Sequence, residues 1–224
     1  ILIYGVSTGF FLWGLSGIRQ FLSILVVHYI LLHWKNMRIL KRMCLLILSV
    51  SFHYSSIVFI LIPVVKYLSI IDKKIVRIGV LTICLFLGLS SYSEAIVGAF
   101  FSSSFIGLIP FDKSTFGAGF VLKLVSYLLI LGWSFRDDTR QIILLRRLFF
   151  LGVCFELFII QNVALGRLSL MYTGLEYILL LSINQDIIKR KMTTSFIILN
   201  SFIVLRTIGL LWRGISDVTP YQNI

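Results

Sequence analysis

Long apolar stretches follow one another along this chain, and the polar residues between them are gathered into short clusters. The stretches lie at roughly 1–16, 18–34, 39–52, 54–70, 75–91, 118–135, 147–165, 168–185 and 194–212. Apolar runs of about 17 to 25 residues carry a helix through a hydrocarbon layer of about 30 Å. These runs are continuous instead of alternating in period 2, which argues for helices and against a β-barrel. The expected fold is therefore all-α: a polytopic integral membrane protein of about nine transmembrane helices, forming a single domain over 1–224.

Composition points the same way. Of 224 residues, 58% are hydrophobic and 13% charged, with a mean hydropathy of +1.00, whereas a soluble domain is about half apolar and a quarter charged. A net charge of +12 would suggest nucleic acid for a soluble chain. Here the cations sit in short loops, so topology and anionic lipid headgroups account for them and no nucleic-acid partner is expected.

The loops fall into two sets. "KNMRILKR", "DKKIVR", "RDDTRQIILLRR" and "DIIKRK" are rich in Lys and Arg, while the turns near 17–19, 52–54 and 166–168, the segment 92–117 and the tail from 213 carry only Arg19, Lys113, Arg167 and Arg213. The positive-inside rule assigns the first set to the cytoplasm. The segment "SYSEAIVGAFFSSSFIGLIPFDK" would reverse every later loop if it crossed. Its serine run, Gly107 and Pro110 also interrupt a helix, so it reads as an outer re-entrant or interfacial segment at about 92–117, or as a plain outer cap. Because the chain opens at Ile1 inside an apolar run, it is expected to be the C-terminal part of a longer protein.

With sides assigned, the unusual polar residues fall on the outer one. Arg19 opens the second run, His53 sits in the turn after the third, Arg167 lies between the seventh and eighth, and Arg213 closes the last. Arg206 precedes Arg213 by two helical turns, on the same face and about 10 Å deeper. One such arginine could simply snorkel to headgroups. Several at one depth make a candidate pocket for pyrophosphate, because the guanidinium fork matches phosphate and keeps its charge when buried. Ser169, Tyr172, Thr173 and Glu176 share a helical stripe leading inward from Arg167. Glu156 lies within the seventh run and needs a cation or a proton; Arg206 is its candidate partner, most simply in a structural ion pair.

Other features carry less chemistry. Cys44, Cys84 and Cys154 are isolated within apolar runs and read as small buried hydrophobes instead of a disulfide or metal set. His28 and His33 share no helical face, Gly5 and Gly9 have a common packing spacing, and no nucleotide-binding or familiar hydrolase signature occurs. No metal ligand set and no cofactor is expected.

"GIRQFLSILVVHY", then a basic loop and "LSVSFHYSSIVFILIPVV", resembles the EpsG-like branch of the Wzy polysaccharide polymerases. That branch pairs an Arg-Gln opening one helix with a Phe-His-x-Ser ending another, here Arg19, Gln20, Phe52, His53 and Ser55 or Ser56. "GRLSLMYTGLEYILLLS" is similar to a later Arg-Leu to Tyr stretch through Arg167, Leu168 and Tyr172, and "DVTPYQNI" to a Pro-Tyr ending. The segment 92–117 matches no such pattern.

The resemblance implies a multi-pass glycosyltransferase of the bacterial inner membrane with its active site facing the periplasm. It would join undecaprenyl-pyrophosphate-linked oligosaccharides, as donor and acceptor, in O-antigen, capsule or exopolysaccharide synthesis, with a chain-length regulator as a candidate partner. Arg19 and Arg167 would stabilise the leaving pyrophosphate. His53 would assist the acceptor hydroxyl, with Glu94 and Asp112 as alternative bases. Gln20, Tyr172, Arg206 and Arg213 would bind substrate. The rival readings are an envelope ligase using the same donor and a lipid-linked oligosaccharide flippase; the flippase should show paired repeats and midplane charges, and no convincing repeat occurs.

Overall fold

Helices account for all the regular structure among the residues that a computed structural model describes, 18–34, 36–53, 56, 62–90, 118–135, 139–158 and 172–217. In chain order they are α1 (Ile18–Leu32), α2 (Ile39–Phe52), α3 (Ile62–Tyr67), a 3-10 turn (Ser69–Asp72), α4 (Lys74–Leu89), α5 (Ala118–Gly132), α6 (Arg140–Phe158), α7 (Glu176–Lys189) and α8 (Thr193–Asp217). The expected run at 1–16 and the segment 92–117, with Glu94 and Asp112, lie outside the described residues.

Local chemistry explains several boundaries. Pro63 falls in the first turn of α3, where its missing N–H would have had no helical acceptor. Glu176 opens α7 and Lys189 closes it, each complementing the helix dipole. The turn into α8 has Lys191 at φ 55°, with Met192 N–H donating to Ile187 O at 3.1 Å and Lys191 N–H to Ile188 O at 3.0 Å. This closes the last carbonyls of α7 in the manner usually left to glycine.

Among the described residues no helix is long and apolar enough to cross a membrane. With 15 residues, α1 extends about 22 Å at helical rise. α8 runs over 25 residues and carries Arg206 and Arg213 along its length. Around a core that is mainly apolar, large hydrophobic side chains also face outward and several polar ones are enclosed. Ile75, Phe86, Ile47 and Leu205 are exposed, while Ser23, His28, Ser49, Ser126, Glu176 and Arg206 are buried.

The chain divides into two compact units. One holds the first turn of α1 with α5, α7 and α8; the other holds the rest of α1 with α2, α3, the 3-10 turn, α4 and α6.

In the second unit α4 lies along α6, and glycine makes that approach close. A Cβ on Gly88 would collide with the backbone carbonyl of Leu157, and one on Gly152 would stand 2.5 Å from Tyr172 Cβ and 3.0 Å from Thr173 N. The Cys84 and Cys154 thiols, on these same two helices, lie close together. At the loop end Arg147 forks onto Asp72, Nε to Oδ1 at 3.0 Å and Nη2 to Oδ2 at 2.5 Å.

In the first unit the loop ends of α5 and α7 are joined through Asp186. Trp133 Nε1–H donates to Asp186 Oδ2 at 3.0 Å, and Arg190 Nη2 reaches Asp186 Oδ2 at 2.9 Å and donates to Ser134 O at 2.6 Å.

Candidate functional site

The Arg-Gln and Phe-His motifs stand one helical turn from a buried serine cluster. Ser23, four residues after Arg19, donates to Ser49 O at 2.9 Å, and Ser49 Oγ donates to Ser23 O at 3.0 Å. The Ser23 and Ser49 hydroxyls are 2.9 Å apart, and Ser56 Oγ closes the group against Ser23 Oγ. All three serines are buried. In an apolar interior an unpaired hydroxyl is costly, so this mutual satisfaction pins α1 to α2 in a single register.

His53 is held at the end of α2 by the same cluster. Its backbone is extended, φ −156° and ψ 121°, and its N–H donates to Ser49 O at 3.1 Å. Its carbonyl accepts from Ser56 N–H at 3.1 Å and from Ser56 Oγ at 2.8 Å. The imidazole is half-buried. Arg19 is exposed in the first turn of α1, and Gln20 beside it is half-buried.

In the first unit the polar stripe begins α7. Arg206 of α8 forks onto Glu176, Nη2 donating to Oε2 at 3.1 Å and Nη1 to Oε1, and Ser126 of α5 donates to the same Oε1. Both charged side chains are almost wholly buried. The carboxylate that Arg206 holds is thus Glu176, where the sequence suggested Glu156. A buried pair of this kind locks three helices together through fixed donors and acceptors, and leaves that guanidinium committed to a structural partner. Tyr172 and Thr173, earlier on the stripe, are buried in the second unit against Gly152.

Arg167 and the alternative bases Glu94 and Asp112 fall outside the described residues. So do Ser169 and Ser55. The backbone of α8 is continuous through Arg213, on the side chain of which the structure gives no description. Among the described residues no three His, Cys, Asp or Glu side chains cluster as a metal site.

Sequence reasoning did not single out Ser23 and Ser49. The available signal was a serine one turn inside each motif residue on otherwise apolar helices. The Cys84 and Cys154 contact was likewise unforeseen, since their sequence separation says nothing of helix packing.

The family model that matches this chain is that of the EpsG family, over residues 1–223. No curated protein and no solved structure matches it.

Proposed function

Because the chain belongs to the EpsG family, which supports a role in polysaccharide biosynthesis in general, we propose that it is a Wzy-type polymerase of the bacterial inner membrane. It joins undecaprenyl-pyrophosphate-linked oligosaccharide repeats at the outer face, in O-antigen, capsule or exopolysaccharide synthesis. The single observation that carries the reading is family membership over nearly the whole chain. The burial of serines, Glu176 and Arg206 beneath exposed isoleucine, leucine and phenylalanine supports a lipid surround, because bilayer rewards apolar exteriors and satisfied polar interiors.

The chemistry assigned to the site is displacement at the anomeric carbon of the donor. An acceptor sugar oxygen forms the new C–O bond, the bond to pyrophosphate breaks, and the lipid pyrophosphate departs with the electron pair. Arg19 and Arg167 stabilise the charge that develops on that leaving group. His53, kept in place by Ser49 and Ser56, takes the acceptor proton. Gln20 and Arg213 are assigned to substrate binding, and Tyr172, buried against Gly152, to helix packing. Arg206, initially grouped with them, is assigned the positioning of Glu176 and the helices around it.

The test is a glycan ladder on a gel from cells lacking the gene and complemented with wild type, Arg19→Ala or His53→Ala at matched membrane expression. Expected are a single repeat on the final acceptor in the deletion, a full ladder with wild type, and loss of the ladder with either variant. Loss of every repeat from the acceptor in the deletion would identify a ligase or flippase. A full ladder with Arg19→Ala would make that arginine a headgroup anchor.

A further inference from the structure

At the loop end of the second unit, a cavity of about 400 Å³ opens between the end of α1 and the start of α6, lined by Leu31, Trp34, Arg140, Gln141, Leu144 and Arg147 among others. Its volume is within the range of small-molecule sites. Trp34 and Ile143, both half-buried, give it an apolar wall. Gln141 Nε2–H donates to Leu32 O at 2.6 Å, so the carboxamide closes the carbonyl end of α1 beside the cavity.

Positive charge is in excess around it. Asp72 binds Arg147 and feels the charges of Arg146 and Arg77 as well. Arg140 is exposed at the cavity and has no carboxylate partner among the described residues. The indole of Trp34 carries the Arg42 guanidinium over its ring at 4.5 Å, a cation–π contact. The stretches that build this end, "WKNMRILKR" and "TRQIILLRR", belong to the basic loops assigned to the cytoplasm, opposite the proposed polymerising site.

We propose that this cavity is a binding site for the headgroup of an anionic phospholipid of the inner leaflet, its phosphate meeting Arg140 and the upper part of its acyl chains lying on Trp34 and Ile143. A free phosphate would satisfy the guanidinium but would leave the apolar wall unmatched. A lipid satisfies both, and a tryptophan at the rim is the usual companion of a headgroup layer. The inference rests on the membrane topology proposed above.

The full chain is reconstituted into nanodiscs of mixed phosphatidylglycerol and phosphatidylcholine, released, and weighed by native mass spectrometry with its retained lipids. Phosphatidylglycerol should be retained selectively over phosphatidylcholine. Arg140→Ala should lower that selectivity roughly fivefold, the effect of one basic residue at an anionic surface, and Arg140→Lys should restore most of it. Equal retention of the two lipids, or unchanged selectivity in Arg140→Ala, would overturn the site. Displacement of the bound species by millimolar inorganic phosphate would reassign it to a soluble anion. Failure of the wild-type chain to enter nanodiscs would instead overturn the topology on which the inference rests.

Discussion

Replacing Arg206 by methionine isolates the buried pair at the centre of the first unit. In the native chain the Arg206 and Glu176 side chains are 5% and 3% exposed, and Ser126 is wholly buried beside them. Among the described residues, Arg206→Met leaves the Glu176 carboxylate with the Ser126 hydroxyl and no paired cation. Breaking one side of a buried pair costs about 3–5 kcal/mol. For a domain of this size each kcal/mol lowers the melting temperature by about 2–4 °C, so the expected fall is roughly 6–20 °C.

The double variant Arg206→Met/Glu176→Leu removes both charges together and should recover most of the loss, since an apolar replacement of a whole buried pair is often near neutral. Arg140→Ala, at an exposed position, should stay within about 0.5 kcal/mol of wild type and serves as the control. Thermal unfolding of the detergent-solubilised protein, followed by fluorescence-detected size exclusion, reads wild type, Arg206→Met, Glu176→Leu, the double variant and the control. A single variant that melts with the control, or a double variant that falls by the sum of its singles, would refute the pairing. A variant of normal melting temperature that loses the glycan ladder would return Arg206 to direct contact with substrate.

Two further outcomes follow from the second unit. The Arg147 guanidinium, hydrogen-bonded to Asp72, holds that carboxyl below its ordinary value of 3.8 against a smaller opposing effect of burial. Its contribution is therefore fully present above the ordinary value and is lost as pH falls through the depressed one. Melting profiles at pH 7 and pH 3 should show wild type losing more stability on acidification than Asp72→Asn, and equal losses would refute the linkage. Gly88→Ala places a methyl group against the Leu157 carbonyl, which cannot swing aside, and should cost about 1–3 kcal/mol. Gly79→Ala, where a Cβ meets nothing within 4 Å, should not destabilise; equal melting of the two variants would show that α4 and α6 do not approach as closely as described.

Long apolar runs are a local property, and by themselves they determined the helical class. α2 coincides with the run read at 39–52, and α4 and α5 lie within a few residues of theirs. The end of α2 at His53 was marked beforehand by the Phe-His motif. The start of α6 was less legible: the helix begins at Arg140, ahead of the apolar run, since exposed Arg140 and the Asp72-paired Arg147 count in hydropathy only as interruption.

Partnership between helices was decided by tertiary structure alone. Both Glu156 and Glu176 were acidic residues within apolar runs, and either could have neutralised Arg206 on sequence grounds. The pairing with Glu176 depends on how α8 is rotated against α7 and where Ser126 of α5 enters, neither of which is written in spacing along one helix. The same holds for Ser23 and Ser49, which look incidental in the sequence and join Ser56 in a single hydrogen-bonded group only when α1 and α2 take one register. It holds also for Gly88 and Gly152, whose missing side chains have meaning only where another backbone arrives. Sequence records which groups must be satisfied away from water; the fold chooses which partner satisfies each, because that choice turns on distances of an ångström between segments far apart in the chain.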